Sequence, residues 1–69
     1  MFIVLEIQTN ANGKVGTIIS SYEERGQAES KYHAILSAAA VSSLPCHAAV
    51  LLTEQGLMLA NGFYEHEVD

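Results

Sequence analysis

The chain has 69 residues, enough for one small domain. A hydrophobic share of 49 % against a charged share of 16 % excludes a disordered, highly charged polymer. Asp+Glu is 8 and Lys+Arg 3, and the net charge of -5 at pH 7 would repel a phosphate backbone, so no nucleic-acid partner is expected.

What remains is an apolar excess. So short a chain buries a modest fraction of its surface, and small domains close the stability gap with disulfides, a metal or oligomerisation. Cys46 is the only cysteine, so no disulfide forms within the chain. Cys46, His33, His47 and His66 fall into no zinc spacing, so no metal or cofactor is expected. A homo-oligomer, a dimer or higher, is the expected remedy. No apolar run approaches the ~20 residues that span a bilayer. The opening Met1–Glu6 stretch has no basic leader. The expectation is therefore a cytoplasmic protein with no membrane partner, and the lone cysteine fits a reducing compartment.

Residues 2–9 are β-branched and aliphatic and predict a strand. Asn12-Gly13 predicts a two-residue hairpin turn, with the return strand over 15–22. That turn sets Ile7 opposite Ile18, Leu5 opposite Ser20 and Ile3 opposite Tyr22. These six make one largely apolar face, and Val4, Glu6, Gln8, Thr17, Ile19 and Ser21 make a mixed one. A helix is predicted over 27–43, with Gly26 as N-cap, Glu29 completing a capping box, and Pro45 as the stop. Ala28, Tyr32, Ile35, Leu36 and Ala39 share its core stripe at 100° per residue. Residues 46–53 and 58–65 predict a second hairpin around Gln55-Gly56, with Leu52 opposite Leu59, Thr53 opposite Met58 and His47 opposite Tyr64. The tail 66–69 is expected to fray.

The fold class is α+β: ββαββ, a four-stranded antiparallel sheet in the order 2-1-3-4 with one helix on one face. A single helix leaves the other sheet face open. That face is expected to carry Val4, Ile19, Leu51, Met58, Ala49 and Phe2, with His47 and Tyr64 as a polar pair and Glu6 across from them. Exposed apolar patches of this kind mark interfaces. The helix back carries Ser30, Ala34, Ser37, Ala38 and Val41, small residues that let a second helix approach, and is the rival interface.

Chemistry-bearing patterns are sparse. Cys46 and His47 are adjacent on a strand and point to opposite faces, which argues against a nucleophile–base dyad. Arg25, Lys31 and His33 near the helix start are the candidate anion or ligand contacts. No phosphate-loop, zinc-protease or nucleophile-elbow motif is present, so no catalytic residue and no enzyme activity is expected.

The segments Tyr32-His33, Ala38–Ser42 and His47–Glu54, with Val4–Gln8, Asn12-Gly13 and Gln27–Ser30, resemble a group of short hypothetical proteins of Firmicutes phages and prophages. The resemblance spans about residues 3–66. It implies a phage or prophage origin and a bacterial host cytoplasm, and brings no functional residues with it. Two functions are then expected candidates. The first is a non-enzymatic homo-oligomer that binds a host or phage protein, for example as an inhibitor of host machinery. The alternative is an anti-defence sponge, an oligomer that sequesters a small nucleotide signal.

Overall fold

The computed structural model describes residues 1–66. It contains β1 (Phe2–Thr9), β2 (Val15–Tyr22), α1 (Arg25–Ala40), β3 (Cys46–Thr53) and β4 (Met58–Glu65). The strands form one antiparallel sheet in the order β2-β1-β3-β4, with α1 packed on one face. The topology is the one expected, with β1 and β3 as the central strands.

The turns differ from expectation, and the difference propagates. Asn10 N–H donates to Lys14 at 2.8 Å and Gly13 N–H donates to Asn10 at 2.9 Å, which closes a loop over Ala11–Gly13. Thr53 N–H donates to Leu57 and Gly56 N–H donates to Thr53, both at 2.9 Å, which closes the equivalent loop over Glu54–Gly56. Each loop has three residues and ends on a glycine in the left-handed region, Gly13 at φ 85° and Gly56 at φ 88°. Three loop residues instead of two move the first hairpin by one position. Ile7 therefore pairs with Thr17, Leu5 with Ile19 and Ile3 with Ser21. The second hairpin starts one position out as well, with Leu52 opposite Met58 rather than Leu59. An irregularity there restores the expected pairing from Leu51–Ala60 through His47–Tyr64 to Cys46–Glu65, leaving Leu59 as the extra residue of a β-bulge.

The helix runs Arg25–Ala40, not 27–43, so Gly26 lies in its first turn and Glu24 is the N-cap, without a side-chain cap bond. Its end tightens at Val41 and Ser42, whose N–H groups donate to Ala38 and Ala39 at 3.2 Å. The core stripe is as predicted: Ala28, Tyr32, Ile35 and Ala39 are buried, and Leu36 packs against them. Opposite them lie Val4, Ala49 and Leu51.

Small residues set the close approach of helix and sheet. Ala28, Ala39 and Ala49 are each 0 % exposed. A Cβ on Gly62 of β4 would lie 3.1 Å from Leu36 Cδ2 and 3.3 Å from the Tyr32 hydroxyl. His66, expected to fray, is held instead. Its N–H donates to Pro45 at 2.9 Å, and its Nε2 bonds the Ala39 carbonyl at 2.8 Å, one of the carbonyls a helix end leaves unpaired. The rest of the expected tail lies outside the described residues.

Gly62→Val is expected to push Leu36 and Tyr32 away from the sheet and to cost about 1–3 kcal/mol, the usual range for overpacking, read as a lower urea midpoint.

Candidate functional site

The most buried polar group is His47 on β3, 5 % exposed. Its Nε2 lies 2.7 Å from Glu6 Oε2. Gln8 Nε2 donates to that same Glu6 oxygen at 2.9 Å. The ladder explains the convergence. Gln8 stands directly opposite His47 on β1, and Glu6 opposite the neighbouring same-face residue Ala49. Burial by itself pushes the Glu6 carboxyl up. The hydrogen bonds from His47 and Gln8, with the charges of His47 and of Lys31 on α1, outweigh it and hold the carboxyl below its ordinary value. An ionised Glu6 only accepts, so the hydrogen on that bond belongs to His47 Nε2. His47 Nδ1 is buried without a partner.

This trio corrects the expected face assignment. Val4 and Leu51, predicted on the open face, are 1 % and 2 % exposed and form the core under α1. Ala49 is buried with them, Phe2 packs against the same cluster, and His47 and Glu6 lie on that covered side. Tyr64 is opposite His47 as predicted, but on this helix side of the sheet, with its ring parallel to that of His66 at 6.5 Å. Ile19 and Met58 do lie on the open face and are exposed. The expected assignment fails because the row Ile3, Leu5, Ile7 on β1 is the more apolar one, while the covered row carries Glu6 and Gln8 beside Val4. The deciding features are the small Ala49, Ala60 and Gly62 beneath the helix and the mutual satisfaction of three polar side chains.

The residues actually on the open face are Ile3, Leu5 and Ile7 on β1 and Ala48, Val50 and Leu52 on β3. Val15 and Ile19 on β2 and Met58 and Phe63 on β4 flank them, all four exposed. Thr17, Ser21 and Asn61 share this face, and its one charged side chain among the described residues is Glu65 at its corner, opposite Cys46. Strict alternation along β1 and β3, once the side packed on the helix is identified, would have found this surface.

On the helix back, Ser30, Ala34, Ser37 and Ala38 are exposed, as expected. Val41 is exposed too, but caps the helix end rather than extending that stripe. The candidate anion contacts do not converge. Arg25 Nε bonds Glu29 Oε1 at 2.7 Å. Lys31 is half-buried near Glu6, and the exposed His33 sets its ring edge-on to Tyr32 at 5.3 Å. No pocket and no cluster of three metal-ligating side chains occurs among the described residues.

No family model matches the chain, and neither the curated proteins nor the solved structures contain a similar one.

The depressed Glu6 pKa fixes the sign of a pH effect. Its stabilising contribution is full above the ordinary value of 4.5 and is lost as pH falls through the lower folded value. Glu6→Ala is expected to cost about 2 kcal/mol at neutral pH, since it strands the His47 and Gln8 donors. Thermal melts across acid pH should show Glu6→Gln losing less stability on acidification than the parent chain.

Proposed function

We propose that this chain is a non-enzymatic interaction protein that acts as a homo-oligomer and binds a host or phage protein. The supporting observation is the open sheet face, a largely apolar surface interrupted by Thr17, Ser21 and Asn61, whose single charge among the described residues, Glu65, sits at a corner. No helix of the described residues is long and apolar enough to cross a membrane. A second copy suits it because each face carries only the corner Glu65, so stacking brings few like charges together despite a net charge of -5.

The dimensions agree. At ~4.8 Å between strands and ~3.3 Å per residue, the face has a flat footprint on the order of 500 Å². That is comparable, once side-chain relief is added, to the ~800 Å² per partner of a standard interface. The principal extents are 40 × 20 × 14 Å, a thin slab. Two slabs stacked with their sheets ~10 Å apart give the sheet-on-sheet packing that the monomer lacks.

The acidic balance favours a target protein with a basic surface. The sequestration alternative would need cations gathered at a seam. Arg25 is tied to Glu29, Lys31 lies by Glu6, and Lys14 sits beside the distant β1–β2 loop.

Light scattering is expected to give a mass at least twice 7.4 kDa for the parent chain. Leu5→Glu or Val50→Glu should lower it, by burying an unpaired carboxylate. Ala38→Glu on the helix back should leave it unchanged. A parent chain that stays monomeric at micromolar concentration would refute the oligomer.

A further inference from the structure

β2 occupies an edge of the sheet, yet it is built like an interior strand. Edge strands are normally blunted by charge, proline or a bulge. Between Lys14 and Glu23, β2 has no charge and no proline, and its register with β1 is unbroken from Thr9–Val15 to Phe2–Tyr22. The opposite edge, β4, carries both a bulge and Glu65. β2 also exposes apolar side chains on both faces: Ile18 (52 %) on the helix side, Ile19 (68 %) and Val15 (62 %) on the open side. Its backbone groups are free as well. The Asn10–Lys14 bond makes that pair a hydrogen-bonded one. By strict alternation the even residues of β2 then address β1, and the N–H and C=O groups of Val15, Thr17, Ile19 and Ser21 point outward.

We infer that this edge pairs antiparallel with β2 of a second copy about a twofold axis near Ile18–Ile19, making one continuous eight-stranded sheet. The charge layout favours a copy over a foreign strand. Lys14 stands at one end of β2 and Glu23-Glu24 at the other. Antiparallel self-pairing brings Lys14 of each chain to the Glu23-Glu24 end of the other, at both ends of the seam, and puts no like charges opposite between them. Parallel pairing would set Lys14 beside Lys14. The inference rests on the oligomeric reading but uses a different surface, and the two together describe a dimer of dimers.

Sedimentation equilibrium on the full chain separates the two surfaces. The parent chain is expected at four times 7.4 kDa. Ile18→Lys lies on the helix side, away from the stacking face, and should halve that mass by setting lysines against each other at the axis. Thr17→Pro removes an outward N–H without touching the ladder to β1 and should do the same. If circular dichroism shows Thr17→Pro unfolded, Ile18→Lys alone decides. Lys14→Glu should weaken the seam, and adding Glu23→Lys and Glu24→Lys in the same chain should restore it, which a foreign strand would not reproduce. Folded Ile18→Lys with the parent mass overturns the edge seam and leaves the stacked oligomer standing. A dimeric parent made monomeric by Leu5→Glu but not by Ile18→Lys overturns it equally. A monomeric parent overturns both.

Discussion

A β-strand sends successive side chains to opposite faces, so the parity of each pairing decides which half of every strand goes under the helix. Here that parity is set by two three-residue loops, each closed by a glycine at positive φ. The first carries its register along the whole of β1 and β2. The second is offset by the bulge at Leu59. The two loops decide which β2 and β4 residues join each face, while the β1–β3 register aligns Val4 with Leu51 and Glu6 with Ala49 beneath α1 and Ile3 with Leu52 and Leu5 with Val50 outward.

The covered side is the more polar of the two. It accommodates Glu6, Gln8 and His47 because the latter two both hydrogen-bond Glu6 Oε2, and because Ala49, Ala60 and Gly62 let the helix lie close. Separate burial of a carboxylate and an imidazole would be costly. Together, with Lys31 nearby, they form a polar anchor inside a small core. The outward side is then the more apolar, centred on Ile3, Leu5, Ile7, Val50 and Leu52, the kind of exposed patch that marks an interaction surface.

Much of this was legible in the residues. The four strands, their order and the core stripe Ala28, Tyr32, Ile35, Leu36 and Ala39 follow from periodicity and turn chemistry, whereas the expected His47–Tyr64 pairing holds because the bulge at Leu59 cancels the longer loop. The face assignment was not, for a physical reason. Counting from Asn12-Gly13 cannot distinguish a two-residue loop from a three-residue loop that ends on the same glycine. On β1 the row Ile3, Leu5, Ile7 is more apolar than Val4, Glu6, Gln8, so hydrophobicity points the helix to the side that the fold leaves open. What reverses that preference is a long-range hydrogen bond, His47 to Glu6 across 41 residues of chain, and a helix contact at Gly62. Neither leaves a local trace. The edge character of β2 is the converse case. Its uncharged stretch is plain in the sequence, but has meaning only once the strand stands at the rim of the sheet.

On the proposed reading, the apolar excess of the chain is a surface for a second copy, centred on β1 and β3. Thiol labelling at that centre tests it most directly. In a Cys46→Ser, Val50→Cys chain, the account predicts slow labelling at high protein concentration that accelerates on dilution, as copies separate and position 50 meets solvent. Fast labelling at a rate independent of concentration would contradict it.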